Sequence, residues 1–224
     1  MPIQAKSRSA PRPKEESASD KRYHHGDLAT ALLAAAETVL TREGLDGLTL
    51  RAVAREAGVS HTAPQHHFGD LAGLLSELAA IGFARFRDTM LGAAEHAADP
   101  AARALALGKG YLDFARGNPG LFLLMFRSER LDMGRPALTE AADAAFAVLA
   151  RSRGVEAGAD RMSLPQAAGV TGAWAFVHGL AFLAIDGRLN AVLASTDGEV
   201  TEDALLDAIL RGMLARTGAP GTAA

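Results

Sequence analysis

Between Ser60 and Phe68 the chain reads HTAPQHH, and five of those seven side chains, His61, Thr62, Gln65, His66 and His67, carry hydrogen-bonding groups. Only Ala63 and the following Phe68 offer apolar surface to a core. A short helix that is polar around most of its circumference faces water or a polar partner. Gln, His and Thr bond base edges, and Ala or Thr methyls touch the thymine methyl. The composition therefore suits a helix laid in a DNA groove, and it equally suits a solvated surface helix. A second constellation lies in the C-terminal half. Trp174 and His178 are spaced i, i+4 and share a helix face, with Phe182 one step further along. Phe114, Phe122, Met125 and Phe126 fall in segments that should pack against them. An apolar cavity with a few placed polar groups describes a small-molecule site, in which His178 supplies the orienting hydrogen bond. Plain core gives the same spacing, and a lone His on such a face usually bonds a backbone carbonyl. Both readings stay open on the residues alone.

Other chemistry finds no support. The chain lacks a P-loop, a Gly-rich dinucleotide fingerprint after a strand, HExxH and GxSxG. No carboxylate pair stands out from the helix surfaces, so no catalytic residue is assigned and no cofactor is expected. His24 and His25 are adjacent and do not share a helix face, which makes them poor metal ligands, and no metal site is assigned. There is no cysteine, which removes disulfides and thiolate chemistry.

The elements that position the polar residues read clearly. Leu48, Thr49 and Val53 have the spacing of an apolar staple around a capping threonine, so a helix is expected from Leu50. Val53 and Ala54 give it an apolar side. Gly58 fits the left-handed residue that ends a helix, and Val59 plugs the turn. Ser60 can cap the next helix, over about Ser60 to His67. Two short helices around a Gly-containing turn make a helix-turn-helix. Pro64 is tolerable only in the first turn of its helix, which suggests a start later than Ser60.

Ahead of this motif, Leu28, Leu32, Ala35, Ala36, Val39 and Leu40 form a helical stripe over about Asp27 to Glu43, with Asp27 as cap and Gly44 as stop. After it, a long helix from about Asp70 to His96 carries more apolar surface than one face needs. Further helices are expected over about 101–116, around Leu121 to Phe126, and over 136–151, 165–186 and 202–216. No period-two alternation appears, so the expected class is all-α. The expected organisation is a basic arm over 1–22, a helix-turn-helix domain over 23–70, a helical ligand-binding and dimerisation domain over 71–217, and a tail over 218–224.

These residues resemble a known family. The block LLAAAETVLTREGLDGLTLRAVAREAGVS, followed by HHF and Leu74, is similar to the N-terminal DNA-binding domain of TetR/AcrR-type transcriptional regulators. YLDFARGNPGLFLLMF and WAFVHGLAFL resemble the variant whose C-terminal domain carries a Trp–His–Gly signature. The likeness spans about residues 23–215. It implies a ligand-responsive DNA-binding regulator, typically a repressor that leaves double-stranded operator DNA when a small apolar ligand binds. It also implies a homodimer through the eighth and ninth helices, over 165–186 and 202–216. Two recognition helices would then meet successive major grooves about 34–36 Å apart. The expected DNA contacts are Thr49, Arg51, Ser60, His61, Thr62, Gln65, His66 and His67. By their chemistry Gln65 and Thr62 suit base edges, whereas Thr49 and Arg51 suit phosphates. The chain departs from the family pattern twice, with Gln65 at a frequent Tyr and Leu71 at a usual Lys. In the family that Tyr typically lies against a backbone phosphate, and loss of the Lys removes one phosphate contact.

Composition sets the bounds. The chain of 224 residues has a formal charge of −3, so general attraction to polyanions is absent and DNA affinity must be local. Residues 1–22 hold six Lys or Arg against three acids, whereas residues 23–68 hold three Arg, five acids and five histidines. A basic arm that follows a DNA groove and an inert tail both fit the first segment. The N-terminus lacks the apolar core of a signal peptide, so the cytoplasm is the expected location. Met162 to Ile185 contains no charged residue and is long enough to span a bilayer. Its Ser, Thr, Gln, His and Gly content favours the buried helix of a bundle over a membrane span. A helical small-molecule binding protein without DNA remains the competing function, and salt dependence distinguishes the two.

Overall fold

The computed structural model describes residues 18–156 and 161–217. The expected tail over 218–224 and residues 1–17 of the expected arm lie outside them. Every element among the described residues is helical: α1 (Ala18–Gly47), α2 (Leu50–Glu56), α3 (Ala63–Phe68), α4 (Leu71–Ala93), α5 (Pro100–Gly117), α6 (Pro119–Met125), α7 (Pro136–Ser152), α8 (Leu164–Ile185), α9 (Leu189–Leu193) and α10 (Glu202–Thr217). A single 3₁₀ turn, Ser128–Arg130, precedes α7.

Helix α1 begins well before Asp27, so residues 18–22 are helical and Asp27 lies inside the helix instead of capping it. The expected stripe is in place: Leu32, Ala35, Ala36, Val39 and Leu40 are all buried, with Leu28 packed beside them. Gly44, at φ 70°, breaks the helical path near the C-terminal end of α1. Positive φ is where glycine escapes the Cβ penalty, and the sequence anticipates a stop there.

Helix α4 organises the fold. Its N-terminal cap is Asp70, whose Oδ1 accepts from the Gly73 amide at 2.8 Å. It packs on α1 and α3 toward one end, and on α5, α6 and α7 along its length. The surplus of apolar residues along it is used on several sides: Leu74, Leu75, Leu78, Phe83, Phe86 and Met90 are all buried. One continuous apolar cluster runs from Leu32 in α1 to Leu210 in α10. The helix-turn-helix head is therefore not a separately sealed unit. The ion pair of Arg130 Nη2 with Asp46 Oδ1, at 3.0 Å, ties it to the body at a second place.

One element departs from expectation, and another matches it with a cap that its sequence reading did not include. Helix α9 was not read, because five residues give too little periodicity to detect. The last helix of the expected scheme is therefore α10. Helix α8 starts with a reciprocal cap: the Gln166 amide donates to Ser163 Oγ at 3.4 Å, and the Ser163 amide donates to Gln166 Oε1 at 2.9 Å.

Candidate DNA interface and internal cavity

The head is built as its sequence dictates. Thr49 has extended backbone and its Oγ1 accepts from the Ala52 amide at 3.1 Å. Leu48 and Val53, the staple pair, are both buried. Helix α2 ends in a reciprocal glycine motif. The Gly58 amide donates to the Arg55 carbonyl at 3.2 Å, and the Val59 amide donates to the Ala54 carbonyl at 3.0 Å. Gly58 itself stands at φ 67°, the left-handed conformation this motif requires.

Helix α3 corrects the sequence reading in two respects. It begins at Ala63, not Ser60, with Thr62 at the cap position. Ser60 does not cap it, and its Oγ lies 3.2 Å from Thr62 Oγ1 instead. Pro64 explains the shift, because a residue without an N–H must sit within the first turn. Pro64 is also fully buried, whereas the sequence credited only Ala63 and Phe68 with core contacts. Pro64 and Phe68, spaced i, i+4, form the inward face of the helix.

The remaining side chains face outward. Thr49, Arg51, Ser60, His61, Thr62, Gln65 and His66 are exposed, and His67 is half-buried. The His66 and His67 rings meet edge to face at 5.7 Å. All eight residues expected to contact DNA thus sit on or beside the α2–α3 unit. Leu71 packs against the apolar cluster, which gives this departure from the family pattern a structural use.

The body holds a cavity of about 640 Å³ that is partly open to solvent. Of the six expected ligand contacts, Met125, Phe126 and Trp174 line it. Phe114, Phe122 and His178 are not on its wall. Phe114 and Phe122 are buried core, with ring centroids 5.2 and 6.3 Å from Phe86. His178 sits behind the wall among the rings of Phe126 and Phe182, at 4.5 and 4.9 Å. The polar groups at the wall are instead Tyr111, whose hydroxyl lies 2.8 Å from His178 Nδ1, and Asp143, Ser152 and Arg153. Burial pushes the Tyr111 phenol up, and Trp174 partly offsets this. Burial pushes the His178 imidazole down, so the pair is neutral near pH 7.

Sequence reasoning missed Phe83, Phe86, Leu138 and Phe146, which also line the cavity. A signal existed for the first two, since α4 has more apolar residues than one packing face uses. Phe146 meets Trp174 edge to face at 6.2 Å.

Helix α8 buries one side only, through Val170, Val177, Leu180 and Ala181. Its other side leaves Leu164 and Leu183 exposed, whereas the part-exposed Trp174 turns toward the cavity. Three glycines on this helix, Gly169, Gly172 and Gly179, have nothing within 4 Å of an added Cβ. Close helix approach within the chain therefore does not explain them. By length and composition α8 could cross a membrane, yet its buried side packs on α5 and α7 of the bundle.

A short capped helix, a glycine turn and an outward-facing polar helix, carried on an all-helical body, define a helix-turn-helix protein of the two-part regulator type. Residues 32–78 match the bacterial regulatory proteins of the tetR family, and residues 104–213 match the tetracyclin repressor-like C-terminal domain. The chain belongs to the TetR family of DNA-binding transcription regulators. It is similar to a protein of unknown function from Rhodococcus sp. RHA1, with 34% identity over 87% of this chain and 95% of that one, at a TM-score of 0.67. The same fold occurs in a TetR family transcription regulator from Marinobacter aquaeolei VT8, at 16% identity over 85% and 97% of the two chains and a TM-score of 0.57. It occurs again in a TetR-like transcriptional regulator from Rhodococcus sp. RHA1, at 17% identity, 85% and 94% coverage and a TM-score of 0.56. No curated protein matches the chain.

Proposed function

We propose that this regulator is a homodimeric, ligand-responsive repressor of the cytoplasm, released from double-stranded operator DNA when a small apolar molecule fills the body cavity. The carrying observation is that α4 joins the two sites: its first turn packs beside the polar helix α3, and its Phe83, Phe86 and Met90 line the cavity. In this reading residues 23–70 contact DNA, and residues 71–217 bind the ligand and the second subunit. Gln65 and Thr62 read base edges, while His61, His66 and His67 flank them. Thr49, Arg51 and Ser60 hold phosphates. Met125, Phe126 and Trp174 contact the ligand, with Tyr111, backed by His178, as the polar group that orients it. The exposed side of α8, together with α10, meets the second copy. Gly179, which does not line the cavity, then permits close approach across that interface.

Ligand can release DNA only if it binds the DNA-competent and released states with different affinity. Electrophoretic retardation of the DNA upstream of the gene, at low salt and with dimeric protein, tests the reading. Retardation that an apolar ligand reverses supports it, and no retardation contradicts it. A binding protein without DNA is the second reading, favoured by the packed Leu71 and by the acids of residues 23–68. Retardation that vanishes as salt rises excludes it.

A further inference from the structure

The segment between the 3₁₀ turn and α7 has two sides. Leu131, Met133 and Leu138 line the cavity. Asp132 and Arg135, between them, turn toward the head. The Asp132 amide donates to Ser76 Oγ at 2.8 Å, and Ser76, fully buried on α4, donates in turn to the Ala72 carbonyl at 2.7 Å. Arg135 reaches further. Its Nη2 donates to the carbonyl of Phe68 at 2.6 Å, and its Nη1 to Glu77 Oε1 at 3.2 Å. Phe68 is the last residue of α3, so this carbonyl is one that its own helix leaves unpaired. A guanidinium from 67 residues downstream therefore caps the end of the polar helix.

The space for this contact is kept by Gly73. A Cβ there would stand 2.1 Å from the Phe68 carbonyl oxygen and 2.3 Å from Arg135 Nη2. The first of those atoms is backbone, and the second belongs to a guanidinium held by two hydrogen bonds, so no easy shift relieves the clash. Three elements thus meet at one side chain: the end of α3, the first turns of α4 and the start of α7.

We infer that Arg135 is a positioning residue for the DNA reader, which it releases when the cavity fills; this rests on the reading of α3 as the DNA-contacting helix. An occupant that displaces Leu131, Met133 or Leu138 moves a short segment whose other side holds the Phe68 carbonyl. Withdrawal of the guanidinium frees the α3–α4 junction, and the two recognition helices of a dimer lose their set spacing. Linkage requires the reverse as well, so DNA that fixes α3 weakens cavity binding by the same factor.

The test uses N-phenyl-1-naphthylamine, an uncharged dye whose fluorescence reports cavity occupancy, with full-length wild type, Arg135→Gln and Arg135→Lys. Hydrogen exchange over residues 66–74 is followed with and without dye, and so is the affinity for a duplex from the upstream region. In wild type the dye is expected to speed exchange over 66–74 and to weaken DNA binding about tenfold. Arg135→Gln should bind dye more tightly than wild type, because the contact that occupancy must break is already gone, show fast exchange at the junction from the start, and lose the dye response. Arg135→Lys should restore part of it, because an ammonium can donate to the Phe68 carbonyl but lacks the planar fork that reaches Phe68 and Glu77 together. A merely structural role lowers thermal stability and leaves the dye response intact. Equal dye effects in wild type and Arg135→Gln, including none in either, overturn the inference. Failure of wild type to bind DNA overturns only the DNA reading, since the exchange arm reports on Arg135 without DNA.

Discussion

Helices α3 and α8 each leave a face uncovered by the described residues, and the two faces are chemically opposite. The side chains of Gln65 and His66, with His61 and Thr62 just ahead of the helix, are well solvated when nothing is bound. The exposed side of α8 carries Leu183 and Leu164, and each Å² of apolar surface left in water costs about 25 cal/mol. A solvated polar face suits a partner that comes and goes. An apolar face suits a partner that stays. On the proposed reading DNA meets the first and a second subunit the second, and both proposals are breakable.

The largest expected effect lies on α8. Leu183→Glu places a charge on the apolar face, and sedimentation should show a dimer becoming a monomer at micromolar concentration. A variant that sediments like wild type would remove α8 from the interface.

Next come the reader residues. Gln65→Ala and Thr62→Val should each weaken binding to the upstream duplex by about 1–3 kcal/mol, measured by anisotropy, with folding unchanged. Arg51→Ala should weaken all sequences alike and lower the salt slope by about one. If the same loss appears for every sequence with Gln65→Ala, that residue is positioning the duplex and not reading it.

Much of this was legible before the structure. Thr49, Gly58 and the α1 stripe act through local geometry, where capping, left-handed backbone and helical periodicity are written in neighbouring residues. The head could be read because its chemistry is local. The cavity could not. Whether Phe114 or Phe86 faces a cavity depends on how α4, α5 and α7 cross, and periodicity marks both only as apolar. Tyr111 and His178 were separable only once their 2.8 Å contact placed one in front of the other. Pro64 was recognised as a helix-start residue but not as core, because its inward direction follows from the packing of Phe68. Asp27 was read as a cap since it precedes the stripe, yet the backbone helix runs past it.

Smaller effects sharpen the contrast between the two faces. Thr49→Ala removes the cap of α2 and should cost about 1 kcal/mol in thermal unfolding. Leu71→Lys should raise DNA affinity at low salt and steepen the salt slope by about one, because the lysine stem can lie where Leu71 packs while its head reaches phosphate. An unchanged slope would mean that position 71 does not approach the duplex.

The smallest effect concerns pH. The His178 imidazole titrates below its ordinary 6.5 because of burial, so the folded state binds fewer protons than the unfolded state there. Its contribution to stability is therefore full above about pH 6.5 and is lost as pH falls below it. Thermal unfolding of wild type should weaken from pH 7 to pH 5, and His178→Gln should flatten that dependence. Parallel profiles would place the titration elsewhere.

The central claim is that the outward polar helix is a DNA reader carried in duplicate. Fluorescence anisotropy of a labelled upstream duplex, titrated with wild-type protein at 50 and 200 mM salt, tests it most directly. The account predicts saturation at two chains or a multiple of two per duplex, with affinity falling by orders of magnitude between the two salts as phosphate contacts release counterions. Binding at one chain per duplex, or affinity indifferent to salt, would contradict it.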